Sequence, residues 1–238
     1  MLVHSNVTMY EGVILLNMKR IAAEYAVQYI EDGMTVGLGT GSTAYWAIQR
    51  IGERVHEGLS IQAVATSRAS EKQALALGIP IIPFRDIDGL DITIDGADEV
   101  NSDLALIKGG GGALLREKIV AHHSKRLIIV ADEHKVVETL GRFPLPVEIV
   151  PFAVEWTIKS LQTLGCHIQL RTDEEQLFVT DNGNYIADCN FGSIASPLQL
   201  HNEILSIPGV VDHGLFIGRA TLAIIGHQDG KVEVLKHN

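Results

Sequence analysis

Short apolar runs alternate with longer stretches of helical spacing through the first half of the chain. The runs have the length and composition of buried strands: TVGLG (35–39), IQAVATS (61–67), IPIIPF (79–84), LDITIDG (90–96) and RLIIVAD (126–132). Helical spacing lies between most of these runs and also over residues 12–31. Apolar strands joined by amphipathic helices predict an α/β fold, with a doubly wound, mostly parallel, Rossmann-like sheet.

The pattern changes near residues 141–151, where the prolines are densest. Beyond them we predict the elements of a smaller α+β domain: a helix over 154–165, a hairpin over 176–191 that turns at 181–184, and a helix over 197–210. The tail, residues 221–236, is a predicted hairpin that returns to the first sheet. We therefore predict a larger Rossmann-like domain from residues 1–141 and 218–238, and a smaller α+β domain from residues 142–217.

Composition narrows the choice of partners. The 238 residues are 46% hydrophobic and 20% charged, as in ordinary globular proteins. A net charge of −10 argues against nucleic acid or an anionic membrane surface as the main partner, but it leaves room for a small anionic substrate.

The two cysteines and the N-terminal segment bear on the location of the protein. Cys166 and Cys189 have no metal-ligand spacing and indicate a reducing compartment. The apolar run 13–16 is too short to span a bilayer and follows no Lys or Arg, so we expect a cytoplasmic protein without a signal peptide.

The segment GLGTGSTA (37–44) follows a predicted strand and begins a predicted helix. Backbone N–H groups and the helix dipole favour an anion there, and Thr40, Ser42 and Thr43 add hydroxyl groups. The segment lacks the third glycine of a dinucleotide fingerprint and the lysine of a nucleotide-binding P-loop. A small-molecule phosphate therefore fits better than a nucleotide. A glycine turn needed only for strand–helix packing is the alternative.

Three carboxylates follow the strand LDITI in the segment DGADE (95–99). They lie at the carboxyl end of the predicted sheet, where open α/β folds bind their ligands. Proton transfer would use such a cluster. A metal is not expected, because no further ligand has suitable spacing and Lys108 is close in sequence. The alternative is an acidic turn in which Asp95 caps a short helix. If LALI (104–107) lies beside LDITI, Lys108 and Asp95 emerge at the same edge.

Four consecutive glycines occupy the centre of KGGGGALLREK (108–118). They are either a flexible linker or a loop whose backbone approaches a ligand before a helix starts. Glu117, in the predicted second turn of that helix, suits a general base, and Lys108 suits the stabilisation of an oxyanion. Such a pair favours proton abstraction next to a carbonyl. Arg116 and Lys118 point elsewhere around the helix, and we expect both to be solvated.

These three segments together resemble the ribose-5-phosphate isomerases of the A type. FPLPVEIVP (143–151), VTDNGN (179–184) and IPGVVDHGLF (207–216) add to the resemblance. It implies interconversion of D-ribose 5-phosphate and D-ribulose 5-phosphate, in the non-oxidative branch of the pentose phosphate pathway, by acid/base proton transfer through an enediolate. It also implies that no metal or organic cofactor takes part, and that the protein is a homodimer or homotetramer.

The resemblance also assigns roles to individual residues. Glu117 looks like the base that moves a proton between C1 and C2, and Lys108 like the cation that steadies the negative charge. Asp95 resembles a residue that assists ring opening, and Asp98 one that binds substrate hydroxyls. The implied substrate-binding positions are Lys19, Thr40, Gly41, Ser42, Thr43, Asp95, Gly96, Ala97, Asp98, Lys108, Gly109, Gly110, Gly111 and Lys135.

Several questions stay open at this point. The loop ATSRAS (65–70) has fewer serines than is usual in the family and an added arginine, which leaves its role open. The sequence also leaves open which of the four glycines is required, which methionine begins the natural protein, and whether other sugar phosphates are accepted. A sugar-phosphate sensor and a nicotinamide-dependent dehydrogenase are alternatives, although the chain has Glu117, has no basic helix-turn-helix segment and lacks the third glycine.

Overall fold

The computed structural model describes residues 7–10 and 13–237. The α-helices within them are α1 (Met18–Val27), α2 (Ser42–His56), α3 (Arg68–Ala76), α4 (Leu114–His122), α5 (Val154–Gln162) and α6 (Pro197–Leu205), and two short 3-10 helices span Phe84–Asp86 and Glu133–Lys135. The strands are β1 (Val7–Tyr10), β2 (Val13–Leu16), β3 (Thr35–Leu38), β4 (Gln62–Ala65), β5 (Ile92–Gly96), β6 (Glu99–Val100), β7 (Leu106–Ile107), β8 (Leu127–Asp132), β9 (Leu145–Ile149), β10 (His167–Leu170), β11 (Thr172–Asp173), β12 (Gln176–Leu177), β13 (Tyr185–Asn190), β14 (Val210–His213), β15 (Leu215–Phe216), β16 (Leu222–Gly226) and β17 (Val232–Lys236).

A six-stranded sheet forms the centre of the molecule, in the order β17-β16-β8-β5-β3-β4. Every neighbouring pair is parallel except the edge pair β16 and β17. Side chains alternate between the two faces of a strand, and along β8 Ile128 and Val130 join the core that contains α1 and α2. Ile129 and Ala131 join a second core, to which α4 contributes. Helices thus cover both faces, which confirms the predicted α/β class.

A second, antiparallel sheet has the order β10-β13-β9-β14 and packs with α5 and α6. Its strands all lie between residues 145 and 213, inside the predicted range 142–217. Its core also takes in Ala105 and Ile107 from the earlier part of the chain. The division into two domains stays a prediction, and residues 1–6, 11–12 and 238 of the larger range lie outside the described residues.

Two predictions for the first half of the chain were wrong. The helix expected over residues 12–31 begins at Met18, because Asn17 caps it by accepting a hydrogen bond from the Arg20 backbone, and β2 pairs with β1 instead. IPIIPF forms no strand and makes a single bridge, from Ile81 to Ala63. Its two prolines lack the N–H group that a regular ladder needs.

The hairpin predicted over residues 176–191 was also wrong. The turn exists, with the Gly183 N–H donating to the Thr180 carbonyl, but β12 pairs with β11, while β13 pairs with β9 and β10. Buried Glu148 of β9 accepts hydrogen bonds from the side chains of Thr180, Asn182 and Asn184, which ties the turn to β9. The C-terminal hairpin is confirmed, since β16 pairs with β17 and lies parallel to β8.

None of the helices in the described part of the chain has the length and apolarity needed to cross a membrane.

The four glycines differ in what their backbone requires. Gly109 and Gly112 have φ angles of 99° and 75°, a region that disfavours any residue with a Cβ atom. A Cβ on Gly110 would lie 2.5 Å from an oxygen of Asp98, and a Cβ on Gly112 would overlap the ring of Phe178. A Cβ on Gly111 would meet its nearest neighbour, Thr40 Cγ2, at 3.4 Å. Gly111 is therefore the position at which a methyl group fits best.

We expect Gly112→Ala to destabilise the protein by about 2 kcal/mol or more, because a positive φ costs an alanine about 1–2 kcal/mol before the overlap with Phe178 is counted. Gly111→Ala should stay within about 1 kcal/mol of the parent. Urea unfolding followed by circular dichroism measures both free energies. Equal losses in the two variants would contradict this account of the loop.

Candidate active site

A cavity opens beside the carboxyl ends of β3 and β5, at the edge predicted from the sequence. It is lined by Lys19, Thr40, Gly41, Ser42, Thr43, Gly96, Ala97, Asp98, Lys108, Gly109, Gly110, Gly111, Glu117 and Lys135. Every predicted site residue except Asp95 belongs to this lining. Asp95 lies directly behind it and contacts Lys108.

A buried ammonium group between two carboxylates forms the centre of the site. Lys108 Nζ lies 2.9 Å from Asp95 Oδ2 and 3.4 Å from Glu117 Oε2. All three side chains are almost fully buried, with exposed fractions of 2%, 1% and 4%. Burial by itself lowers the pKa of Lys108, but the neighbouring carboxylates outweigh it and raise the pKa above its ordinary value. Lys108 is therefore a fixed positive charge.

The backbone around Lys108 explains how the lysine reaches this position. It follows β7, which pairs with β6 and β15 and not with β5, so LALI does not lie beside LDITI in one sheet. The Lys108 N–H donates to the carbonyl of Gly214, and its Nζ donates to the carbonyl of Gly96 at 2.6 Å. The ammonium also lies 5.4 Å from the ring centroid of Phe216. A short separate sheet thus delivers the lysine to the end of the central one.

Glu117 combines burial with an incomplete set of hydrogen bonds. It lies in the first turn of α4, one turn earlier than predicted, because the helix starts at Leu114. Its Oε2 has no hydrogen-bond partner among the described residues, since the Lys108 contact lacks hydrogen-bond alignment. Burial raises the pKa of Glu117 to about 8, against the lowering effect of Lys108. A carboxyl group in this state can accept a proton near neutral pH.

The two aspartates of the acidic loop have different surroundings. Asp95 Oδ1 accepts hydrogen bonds from the backbone of Thr40 and Gly96, and its Oδ2 faces Lys108, so both oxygens are engaged. Asp98 Oδ2 accepts from the Gly110 N–H at 2.7 Å and lines the cavity. Asp95 therefore joins two loops to the lysine, whereas Asp98 faces the space that a ligand would occupy.

The glycine-rich segment after β3 meets the cavity at the start of α2. The helix begins at Ser42 with Gly41 as its N-cap, and no side chain caps it. The N–H groups of the first turn are therefore free to meet an anion. Lys19 Nζ donates to Ser42 Oγ at 2.9 Å, which brings a cation to this helix end.

A cluster of hydroxyl groups behind Thr40 did not emerge from the sequence as a site feature. Thr40 Oγ1 lies 2.7 Å from Thr66 Oγ1, 2.8 Å from Ser67 Oγ and 3.2 Å from Ser70 Oγ. Ser70 also donates to the carbonyl of Gly39. The loop ATSRAS thus supports the cavity from behind. Because β4 lies next to β3 in the sheet and runs parallel to it, the loops that follow the two strands meet. Placing the two strands side by side would therefore have predicted the cluster.

The flanking cations of the site have specific partners. Lys135 follows β8 and lines the cavity, and its ammonium group lies 5.8 Å from the ring centroid of Phe143. The expectation that Lys118 is solvated was wrong, since its side chain is 12% exposed and lies 2.5 Å from Asp212. Arg116 keeps an exposed fraction of 32% and contacts Asp181 at 3.2 Å. In residues 7–10 and 13–237, no three or more His, Cys, Asp or Glu side chains are grouped so that they could hold a metal ion.

Comparison with known proteins agrees with this site. Residues 62–230 match the family model of ribose 5-phosphate isomerase A (phosphoriboisomerase A). The chain is 57% identical to ribose-5-phosphate isomerase A of Bacillus mycoides over 217 residues, 91% of this chain and 98% of that protein. It is 49% identical to ribose-5-phosphate isomerase A 1 of Oceanobacillus iheyensis over 213 residues, which is 89% and 95% of the two chains.

Solved structures give the same result. A D-ribose-5-phosphate isomerase in complex with phospho-erythronic acid superposes with a TM-score of 0.89 and 38% identity, over 93% of this chain and 100% of that one. The ribose 5-phosphate isomerase of Plasmodium falciparum superposes with a TM-score of 0.89 and 40% identity, over 92% and 98% of the chains. Ordered motifs, fold and relatives thus agree, and this chain belongs to the ribose 5-phosphate isomerase A family.

Proposed function

We propose that this chain interconverts D-ribose 5-phosphate and D-ribulose 5-phosphate by proton transfer through an enediolate. One observation carries the proposal: a buried carboxyl group with a raised pKa, Glu117, faces a buried ammonium group, Lys108, inside a cavity lined by further cations. Aldose–ketose isomerisation needs a base for the C2 proton and a positive charge for the oxygen that becomes negative. The cavity offers both within one small volume.

The proton transfer uses the carboxylate of Glu117. In the open-chain aldose it removes the proton from C2, and the electron pair moves through the C1–C2 bond onto the carbonyl oxygen at C1. In the enediolate that results, the hydroxyl proton at C2 passes to the negative oxygen at C1, which leaves the negative charge on the C2 oxygen. The same carboxyl group then protonates C1, the electron pair of the C2 oxygen forms the ketone, and Glu117 ends as the carboxylate with which it began. The raised pKa of Glu117 matches this double role, because the group must release the proton as readily as it takes it up.

Lys108 stabilises the enediolate. Its ammonium group is held by Asp95 Oδ2 and by the carbonyl of Gly96, so little reorganisation is needed when negative charge develops on the substrate oxygen. The carboxylate of Asp95 is engaged on both oxygens. These contacts support a role for Asp95 in positioning Lys108. The ring-opening role implied by the resemblance stays a prediction for Asp95, as does the binding of substrate hydroxyls by Asp98.

The phosphate of the substrate is proposed to bind at the start of α2. The uncapped N–H groups, the hydroxyls of Ser42 and Thr43, and the ammonium group of Lys19 supply donors and positive charge at this helix end, and Lys135 adds a second cation to the cavity lining. A related isomerase was solved with phospho-erythronic acid, a sugar acid phosphate. We propose that this chain binds the same compound, whose carboxylate resembles the charge of the enediolate.

The assay that tests this function follows ribulose 5-phosphate formation from ribose 5-phosphate by the purified protein. We expect turnover without an added metal or organic cofactor and competitive inhibition by phospho-erythronic acid. A correctly folded protein that shows no turnover would exclude the proposed function.

Glu117→Gln keeps the shape of the side chain and removes the base, so we expect kcat to fall by a factor of about 10² to 10⁴. Glu71→Gln is the matched control, because Glu71 is an exposed glutamate in the first turn of α3. The control should retain the parent kcat. If Glu117→Gln also retained it, the base would have to be another carboxylate of the cavity.

The pH dependence follows from the raised pKa of Glu117. The base must be ionised in the free enzyme, so we expect kcat/KM to rise with pH and to level off above an inflection near 8. Asp95 contributes to the raised pKa of Glu117, so Asp95→Asn should move this inflection to lower pH. The rate should also be measured with substrate deuterated at C2. A slower rate with that substrate shows that proton transfer limits the rate being followed. An unmoved inflection in Asp95→Asn would argue against this electrostatic coupling.

Two finer properties implied by the resemblance stay predictions. We expect a homodimer or a homotetramer, which analytical ultracentrifugation would distinguish, and a cytoplasmic location.

A further inference from the structure

Arg171 connects the second sheet to the glycine loop. It follows β10, and its Nη1 donates to the carbonyl oxygens of Gly109 at 2.8 Å and Gly110 at 3.0 Å. The rest of its guanidinium is held by Asp188 of β13, through Nε at 2.9 Å and Nη2 at 2.5 Å. The side chain is 15% exposed, and its guanidinium carbon lies 5.9 Å from the ring centroid of Phe178. The arginine is thus fixed from three sides.

The two carbonyl contacts determine where the loop's N–H groups point. In a trans peptide the C=O of one residue and the N–H of the next point in opposite directions, and the described residues contain no cis peptide. Because the carbonyl of Gly109 faces Arg171, the N–H of Gly110 points away from it, and this N–H reaches Asp98. By the same geometry the N–H of Gly111 points away from Arg171.

The N–H of Gly111 is available to a ligand. It donates to no atom of the described residues, and Gly111 lines the cavity. Gly112 is also in close contact with another segment, because the ring of Phe178, which follows β12, lies where a Cβ of Gly112 would be. A loop of four glycines has little conformational preference of its own. One hydrogen bond lies inside the loop, from the Gly112 N–H to the Gly109 carbonyl at 2.9 Å. Contacts from outside the loop, above all those of Arg171 with the carbonyls of Gly109 and Gly110, add to it in defining the peptide planes.

We propose that Arg171, held by Asp188, is a positioning residue that orients the glycine loop so that the Gly111 N–H donates a hydrogen bond to the bound sugar phosphate. This inference rests on the proposed function for the identity of the ligand. It assigns to the second sheet a part in catalysis, although no atom of Arg171 lines the cavity. The donor is set in place before the substrate binds, which is the condition for a large effect on the transition state.

The kinetic test uses Arg171→Ala, assayed with ribose 5-phosphate. We expect kcat/KM to fall about 10-fold or more, because a mobile loop loses the aligned donor. Millimolar guanidinium chloride should restore part of this activity in Arg171→Ala, whereas sodium chloride at the same ionic strength should not. Arg171→Lys should lose less than Arg171→Ala, since an ammonium group can reach one of the two carbonyls.

Arg116→Ala is the matched control. Arg116 also joins α4 to a distant segment, the turn that contains Asp181 and Asn182. No hydrogen bond connects Arg116 to the glycine loop. We expect it to lower the unfolding temperature with kcat/KM near that of the parent and no response to guanidinium. Equal losses of kcat/KM in the two variants, without guanidinium rescue, would overturn the proposal, because they would show that Arg171 only holds the two parts together.

A second measurement is independent of turnover. Deuterium exchange of the peptide that contains residues 109–112, followed by mass spectrometry, should be faster in Arg171→Ala than in the parent and unchanged in Arg116→Ala. Unchanged exchange in Arg171→Ala would contradict the proposed orientation of the loop. If the parent protein itself failed to convert ribose 5-phosphate, the proposed function would fail, and this exchange measurement would still decide the role of Arg171.

Discussion

The arrangement of this protein depends on one buried ammonium group and the carboxylates around it. Removing the charge of Lys108 from water costs several kcal/mol, and only close partners of opposite charge and well-placed hydrogen bonds can offset that cost. Asp95, Glu117 and the carbonyl of Gly96 supply them. The partners come from two positions in the chain, the end of β5 and the first turn of α4, so the central sheet and α4 must both be in place for the ion cluster to form.

The same cluster explains where the backbone must come close to a side chain. A Cβ atom on Gly39 would overlap the carboxylate of Asp95, and one on Gly214 would overlap the carbonyl of Lys108. Neither glycine lies in the loop of four. Both are needed because two chain segments share the space beside a buried charged residue. The dense packing that excludes water from Glu117 and Lys108 therefore limits the sequence some distance from the reacting groups.

Local patterns of the sequence predicted the central strands and the cavity at their carboxyl ends. They placed Lys108 and Asp95 at the same edge on the condition that LALI lies beside LDITI. That condition is not met, because β7 belongs to a separate sheet, but Lys108 and Asp95 are in contact all the same. Lys118 was expected in water and instead contacts Asp212, nearly a hundred residues away in sequence. Partners so distant leave no trace in the spacing of a single sequence, and the same holds for Arg171 and the glycine loop.

The return of the chain to the central sheet has a consequence for how the protein is made. Strand β16 pairs in parallel with β8, and residues 133–221 lie between the two. During synthesis the whole antiparallel sheet therefore emerges before the central sheet can gain its last two strands. Until then β8, an entirely apolar strand apart from its final aspartate, has an unpaired edge. The nascent chain must pass through a stage at which this edge can pair with another molecule, and a chaperone that shields it would act between the synthesis of β8 and that of β16.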